Sequence, residues 1–150
     1  IGQMFMGNIG GTIGEVCTLA LLIGGIYLIA KGVISARIPV SYLGTVAVLT
    51  LVFSKGDNAF LWMLYSLLGG GVVLGALFMA TDYATTPITK KGQILFGICC
   101  GVLTFLFRTI GGTPEGVSYA IIISNLFVPL IEKITIPRAF GVVKVKKEGK

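Results

Sequence analysis

The sequence predicts an all-α integral membrane protein in which five helices cross the bilayer. Composition is the first observation behind this prediction, because hydrophobic residues make up 55% of the 150 residues, charged residues only 12%, and mean hydropathy is +0.95. Soluble domains carry about twice that charged fraction. The second observation is the placement of the charges, since all 12 basic residues lie between apolar stretches or at their edges. These two observations exclude a soluble globular domain.

The apolar stretches set the order of the predicted helices. Most are near the lower end of the ~17–25 residues that a spanning helix needs, so four spans plus one re-entrant segment is an alternative to five. We expect an extracytoplasmic segment at 1–14, a five-helix membrane domain at 15–133 and a basic cytoplasmic tail at 134–150. The stretches are 15–30, 39–54, 59–81, 92–107 and 116–131.

The basic residues predict the orientation of the chain in the membrane. Ten of them fall in the loops on one side and two, Lys55 and Arg108, in the loops on the other. Cytoplasmic loops carry the excess of Lys and Arg, so the N-terminus is expected outside and the C-terminus in the cytoplasm. A basic tail beside a membrane fits anionic lipid headgroups, and we expect no nucleic-acid partner. The ten are Lys31, Arg37, Lys90, Lys91, Lys133, Arg138, Lys144, Lys146, Lys147 and Lys150.

The first helix has two possible interpretations at its start. Thr12 and Glu15 have the spacing of a capping box, in which each satisfies a backbone amide of the first turn. The glycines that precede Glu15, among them Gly14, also let backbone amides approach a phosphate or an aromatic ring. Glu15 is then a candidate binding residue, because carboxylates at the edge of a span are frequently functional.

Glycines interrupt the third predicted span at 69–71 and again at Gly75. Small residues four apart allow close helix packing, and Gly97 and Gly101 repeat that spacing in the fourth span. Three consecutive glycines also weaken a helix enough to break it. The sequence therefore leaves open a closely packed helix and a discontinuous helix that lines a cavity.

The loop after the third span is rich in polar side chains. Asp82 follows the C-terminal end of a predicted helix, where a negative charge opposes the helix dipole. Thr81, Thr85, Thr86 and Thr89 add hydroxyl groups that donate and accept hydrogen bonds. Turn chemistry and a ligand-binding loop explain this composition equally well.

The last span begins after a Gly-Gly-Thr-Pro-Glu run at 111–115. This run has the features of an ordinary helix start, with Thr113 as N-cap, Pro114 at the first helical position and Glu115 in the first turn. Within that span Pro129 has no amide to donate to the carbonyl of Asn125. Asn125 is thus expected to bond a neighbouring helix, with a pore-lining role as the alternative.

The sequence predicts neither a catalytic residue nor a metal site. Cys17, Cys99 and Cys100 lie in apolar spans, no Cys-x-x-Cys occurs and the chain has no His. We expect the cysteines to be packing residues; a bridging iron–sulfur cluster shared with another subunit is the alternative. None of the spacings pairs a nucleophile with a base.

Several ordered motifs resemble the RnfD/NqrB family of membrane subunits, and the resemblance covers nearly the whole chain up to position 137. It is closer to the RnfD branch, from ion-translocating ferredoxin:NAD oxidoreductases (Rnf complexes), than to the NqrB branch, from sodium-pumping NADH:quinone oxidoreductases. The motifs are GTIGE at 11–15, TLA at 18–20, FMATD at 78–82 followed by Thr85 and Pro87, KG at 91–92, PEG at 114–116, and Asn125 with PLI at 129–131.

The resemblance implies a fold, a function and cofactors. Family members have ten helices in two repeats of a urea- and ammonium-transporter-like fold, and this chain is similar to the second repeat, as its start without Met also suggests. They carry FMN, bound covalently to a Thr of an SGAT-type motif on the extracytoplasmic side, and non-covalent riboflavin nearer the cytoplasm. No SGAT motif occurs here, since 84–87 lacks the Ser-Gly, so the attachment residue is expected upstream.

The resemblance therefore implies a subunit that relays electrons through two flavins and couples this to Na+ or H+ transport in a bacterial or archaeal cytoplasmic membrane. Its partners would be the other membrane and peripheral subunits of the complex, together with membrane lipid. We expect FMN contacts from Thr12, Gly14, Glu15, Gly112, Thr113 and Glu115, and riboflavin contacts from Asp82, Thr85 and Thr86. The alternatives are half of a passive channel or solute transporter without a redox cofactor, and a purely structural subunit.

Overall fold

A computed structural model describes residues 17–54, 58–69, 71–112 and 116–136, and every regular element in these ranges is helical. The elements follow the five predicted stretches in order, with the third divided in two. They are α1 (Thr18–Ala30), α2 (Arg37–Val52), α3 (Ala59–Leu68), α4 (Val72–Leu74, continued by the π-helical stretch Gly75–Met79), α5 (Lys90–Gly111) and α6 (Gly116–Thr135).

Two of these helices, α5 and α6, are each long and apolar enough to cross a membrane. The bent pair α3–α4 adds a third span if it is taken as one unit, while α1 and α2 are shorter apolar helices. By length and composition the described part of the chain thus holds two or three candidate spans, which supports a membrane protein.

Helices α2, α5 and α6, together with α4, enclose the core. Tyr42 of α2 and Phe96 of α5 are fully buried there, with Val72 and Ala76 from the α4 segment and Val117 from α6. The Tyr42 hydroxyl and the Thr104 hydroxyl share a buried hydrogen bond of 2.6 Å across the α2–α5 boundary. This bond satisfies two polar groups that are costly to leave unpaired in an apolar interior.

A seam of small residues joins α2 to α5. A Cβ on Gly97 would collide with the Ser41 hydroxyl and lie 2.9 Å from the carbonyl oxygen of Ile38. One turn later a Cβ on Gly101 would lie 2.7 Å from Cβ of Thr45. The two helices run parallel along this seam, and the close packing predicted from the Gly97–Gly101 spacing is confirmed.

The third span is broken, as the discontinuous-helix interpretation requires. Helix α3 ends at Leu68, Gly71 has a left-handed φ of 68°, and α4 leaves at 62° to α3. Gly75 lies so close to Val117 that a Cβ would collide with that side chain. Close packing after the break and a discontinuous helix are therefore both present.

The described charges are sorted between the two ends of the bundle. At one end Ser35 donates to Gln93 (3.0 Å), Thr89 donates to Thr135 (2.7 Å), and the amide of Ile88 donates to Glu132 (3.1 Å). We call this the basic end, because the turn after α1 and the adjoining helix ends place Lys31, Arg37, Lys90, Lys91 and Lys133 there. Arg108, in the last turn of α5, marks the opposite end, the Arg108 end.

Some predictions fall outside the described residues. These are the segment 1–14 with its capping box at Thr12 and Glu15, the helix start at Thr113 to Glu115, and nearly all of the basic tail.

Candidate functional site

Two cavities stand out among the described residues, and the larger of these two lies at the Arg108 end, between the C-terminal halves of α2 and α5 and the exposed helix α3. Its volume is about 1070 Å³, just above the roughly 300–1,000 Å³ that is usual for small-molecule sites. Four aromatic side chains form much of its wall, and hydroxyl, amide and guanidinium groups converge on it. The lining residues are Val46, Thr50, Phe53, Ser54, Asn58, Leu61, Trp62, Tyr65, Ser66, Phe105, Leu106, Arg108 and Thr109.

Arg108 connects this cavity to the broken span. Its Nη1 donates to the carbonyl oxygen of Ser66 and its Nη2 to that of Gly69, both at 2.6 Å. These carbonyls belong to the end of α3, where the regular helical hydrogen bonding stops. A cationic donor is well suited to the negative C-terminal end of a helix.

The wall of the larger cavity also contains an unused hydroxyl group. Ser54 Oγ is buried and has no hydrogen-bond partner. On the same wall the rings of Phe53 and Phe105 pack with their centroids 5.4 Å apart. The two rings are tilted by 39° to each other, so the cavity offers an angled aromatic wall next to a polar group without a partner.

The smaller cavity lies at the basic end and measures about 480 Å³. The turn after α1, the start of α2, the loop after α4 and the first turn of α5 all contribute to it. Apolar side chains form part of the wall and polar groups the remainder. Its lining residues are Gly32, Val33, Ile34, Ser35, Arg37, Ile38, Thr81, Tyr83, Thr86, Pro87, Ile88 and Gln93.

A short chain of hydrogen bonds fixes the polar groups of the smaller cavity. Arg37 Nη1 donates to the Ser35 hydroxyl at 3.3 Å, and this hydroxyl donates to Gln93 Oε1 at 3.0 Å. The chain orients an amide, a hydroxyl and a cation within one small space. Such a set can hydrogen-bond the heteroatoms along one edge of a flat heterocycle.

The sequence profile of the NQR2, RnfD, RnfE family matches residues 1–141. The chain belongs to this family. The resemblance inferred from the ordered motifs is thereby confirmed over almost the whole length of the chain.

Curated relatives within the family carry names that describe a membrane complex. The chain is 51% identical over 140 residues to the D subunit of the Na(+)-translocating ferredoxin:NAD(+) oxidoreductase complex of Acetobacterium woodii, covering 93% of this chain and 42% of the relative. It is 48% identical over 139 residues to the proton-translocating counterpart of Clostridium ljungdahlii, covering 92% and 42%. It is also 41% identical over 138 residues to the D subunit of the ion-translocating oxidoreductase complex of Stutzerimonas stutzeri, covering 91% and 39%. The chain spans about two fifths of the length of these relatives.

The structure places the expected riboflavin residues at the basic end, but in two environments. Thr86 lines the smaller cavity. Thr85 donates to Asp82 at 3.5 Å in an exposed contact, and neither residue is among those that line the cavity. Thr81 donates to the carbonyl of Leu77, and the Thr89 hydroxyl accepts from the amide of Gly92 as the N-cap of α5. The loop thus combines turn chemistry with a contribution to the cavity wall.

Of the expected FMN residues, Gly112 is the one described. It ends α5 with a left-handed φ of 61° at the Arg108 end, and a Cβ there would have open space around it. Thr12, Gly14, Glu15, Thr113 and Glu115 lie outside the described residues. Their predicted role at that end stays a prediction.

Sequence reasoning did not identify the residues that dominate the two cavities. Arg108, Ser35, Arg37 and Gln93 were counted as topology signals or ignored. Arg108 had one usable signal, since it is a cation at the edge of an apolar stretch. Ser35 and Gln93 gave none, because their hydrogen bond joins residues 58 positions apart.

The cysteines and Asn125 are the remaining polar groups of the apolar spans. Cys100 is buried, and Ser124 Oγ contacts Cys99 Sγ at 3.8 Å. In the described part of the chain no group of three or more His, Cys, Asp or Glu side chains is arranged for a metal. Asn125 Oδ1 is buried without a hydrogen-bond partner, so the expected bond from this atom to a neighbouring helix is not formed.

Proposed function

We propose that the chain is the second half of the RnfD-type subunit of an ion-translocating ferredoxin:NAD oxidoreductase, and that it houses flavins through which electrons cross the membrane, coupled to Na+ or H+ transport. The observation that carries this proposal is the family match combined with the names of relatives at 41–51% identity over nine tenths of this chain. The two most similar of the relatives named above differ in the ion they translocate, so the coupling ion stays open between Na+ and H+.

The smaller cavity supports riboflavin as one cofactor. A flavin needs hydrogen-bond partners along its pyrimidine edge and apolar walls along its ring faces. The hydrogen-bonding groups would come from Gln93, Ser35 and Arg37. The apolar walls would come from Ile34, Ile38 and Ile88. Thr86 would contact the ligand from the loop side, while Asp82 and Thr85 would hold the shape of that loop.

The larger cavity supports the ring system of FMN that is attached covalently outside this chain. Phe53, Trp62 and Tyr65 supply aromatic walls, and Arg108 places a fixed positive charge nearby. A bound flavin supplies one- or two-electron transfer, while the protein supplies its position and electrostatic environment. Thr12, Gly14, Glu15, Gly112, Thr113 and Glu115 would flank this site.

In the proposed arrangement the chain is one five-helix repeat of a ten-helix subunit in a bacterial or archaeal cytoplasmic membrane. The broken α3–α4 pair counts as one pass. The basic end faces the cytoplasm, where it meets other subunits of the complex and anionic lipid headgroups. The enzymatic activity belongs to the complex, to which this subunit contributes the electron path.

Sidedness has a direct test in the loop after α4, where Tyr83 is 92% exposed. A Tyr83→Cys variant in a background without other reactive cysteines should react with a membrane-impermeant maleimide in inverted vesicles and stay unlabelled in intact cells. Labelling in intact cells alone would reverse the proposed orientation.

The visible absorption spectrum of the purified intact complex, taken before and after denaturing precipitation, tests the cofactors. We expect a flavin band of which part is released and part stays with the protein pellet, because one flavin is free and the other is covalently bound. A colourless preparation would contradict the redox function.

The broken span favours a second candidate function, in which the chain is half of a passive channel or solute transporter. Discontinuous helices beside a cavity are typical of secondary transporters. In proteoliposomes that lack any electron donor, this candidate predicts solute flux, whereas the redox function predicts none.

A further inference from the structure

The end of α3 presents backbone carbonyls that need a partner. Regular hydrogen bonding stops with this helix at Leu68, and the last carbonyls of a helix have no amide one turn further on to accept from. Ser66 and Gly69 carry two of these oxygens, and Arg108 lies 2.6 Å from each. In water such groups are solvated, but within a membrane protein they require an internal partner.

Several helix dipoles add their negative ends at the same place. Helices α2 and α5 run parallel, and both have their C-terminal ends at the Arg108 end. Phe53, the C-cap of α2, contacts Phe105, one turn before Arg108 in α5. The C-terminal end of α3 is the third negative end, but α4 and α6 also begin in this region with their positive ends. The two direct hydrogen bonds to Ser66 and Gly69 are therefore what favours the positive charge of Arg108 here.

Carbonyl oxygens at the end of an interrupted helix are the groups with which many transport proteins bind monovalent cations. We propose that the break in the α3–α4 span is a monovalent-cation site, and that the guanidinium of Arg108 is its permanent occupant. The transported ion therefore does not use this break. Arg108 is a positioning residue that holds α3, none of whose residues is buried, across the larger cavity.

The geometry favours Arg over Lys at this position. The two terminal nitrogen atoms of one planar guanidinium reach two carbonyls that belong to residues three positions apart. An ammonium group is a compact point charge and does not match this fork, although it retains the charge. This proposal rests on the described contacts and is independent of the flavin assignment.

Chemical rescue tests the proposal in the full-length subunit within its membrane complex. Arg108→Ala should lower the thermal midpoint of the complex in detergent by on the order of 5 °C. Low-millimolar guanidinium or Na+ should restore at least about half of that loss, because a free cation then occupies the vacated carbonyls. Choline chloride at equal ionic strength should restore nothing.

Lys133→Ala is the matched control, because Lys133 is an exposed cation at the basic end. Neither this variant nor the parent should gain stability from guanidinium. Rescue confined to Arg108→Ala would support the proposal. A parent-like midpoint for Arg108→Ala, or no rescue by either cation, would overturn it.

Arg108→Lys decides the case if Arg108→Ala does not assemble. The complex with Arg108→Lys should assemble, because the positive charge at the carbonyls is kept. Its thermal midpoint should fall by less than the loss of about 5 °C expected for Arg108→Ala. Failure of Arg108→Lys to assemble would show that the site does not simply require a cation, and would overturn the proposal.

Discussion

The two ends of the bundle both carry cations beside a cavity, but they use them differently. At the Arg108 end one guanidinium bonds directly to backbone carbonyls at a break in a helix. At the basic end the charges sit at helix ends, and side-chain hydrogen bonds such as Ser35–Gln93 hold the elements together. A cation that stabilises the backbone is part of the fold, whereas exposed cations contribute little to stability.

The same count of basic residues therefore includes two kinds of cation, those that indicate sidedness and one that stabilises the fold. The ten-to-two split of basic residues predicts sidedness, and in that count Arg108 is a minor exception. In the structure that exception is the cation that bonds to the helix backbone, whereas Arg37 at the basic end donates to the side chain of Ser35. Removing a cation should therefore lower stability clearly at the Arg108 end and little at the basic end. The α2–α5 seam that connects the ends should be sensitive along its length.

The largest effect is expected in that seam, which runs between the two ends. Gly97→Ala places a Cβ against the Ser41 hydroxyl and the Ile38 carbonyl, and the carbonyl belongs to a helix backbone that cannot move aside locally. We expect a loss of about 2–3 kcal/mol of stability from overpacking, measured as the yield and thermal midpoint of the complex.

Gly44→Ala is the control for that substitution, since Gly44 is also helical but has nothing within 4 Å of its Cβ position. There the change should be neutral or stabilising by up to ~1 kcal/mol, because Ala favours a helix over Gly. Equal losses in the two variants would mean that the seam is not tightly packed.

The second-largest loss of stability is expected from the hydrogen bond between Tyr42 and Thr104 in the α2–α5 seam. Tyr42→Phe removes the partner of the Thr104 hydroxyl and leaves a buried polar group unsatisfied, which should cost about 1–3 kcal/mol. The double variant with Thr104→Val should recover part of this loss, since both polar groups are then absent. Thermal midpoints of the single and double variants give the coupling energy; purely additive losses would rule out the hydrogen bond.

A smaller and more specific effect is expected at the basic end. Gln93→Leu removes the acceptor of the Ser35 hydroxyl and one polar group of the smaller cavity. We expect about tenfold weaker retention of the releasable flavin, equivalent to ~1.4 kcal/mol, with the covalent flavin unchanged. Thr85→Val, outside that cavity, is the control, and the same loss of flavin in both variants would place the ligand elsewhere.

The smallest effect is expected from the contact between the amide of Ile88 and Glu132, which is exposed. Glu132→Gln keeps an acceptor oxygen and should change stability by less than ~0.5 kcal/mol, while Glu132→Ala should cost about 0.5–1 kcal/mol. A midpoint loss as large as that of Arg108→Ala would remove the contrast between the two ends.

Much of the fold follows from the sequence because apolar runs and glycines act locally. The positions of all helices agree with the apolar stretches, and the glycines at 69–71 mark the break. The sequence left open whether the third span is a closely packed helix or a broken one, because glycine, which has no side chain, permits both. Only the tertiary contacts of Gly75 and the bend beside Gly71 show that the chain uses both.

The candidate sites were harder to predict, since their polar groups come from distant parts of the chain. Arg108 meets Ser66 and Gly69 across about forty positions, and no local pattern indicates which carbonyls a break will expose. The threonines of the loop after α4 look alike in the sequence. The fold alone separates Thr86, which lines a cavity, from Thr89, which caps a helix.

Helices α5 and α6 differ from the other helices in how well each is suited to span a membrane by itself. They are consecutive in the chain, they pack on each other, and in the described part of the chain they alone are long and apolar enough to span individually. Helix α2 has 16 residues, fewer than the ~17–25 that a spanning helix needs, and it packs on the surface that Gly97 and Gly101 leave open in α5. The placement of α2 in the membrane therefore depends on its packing against α5.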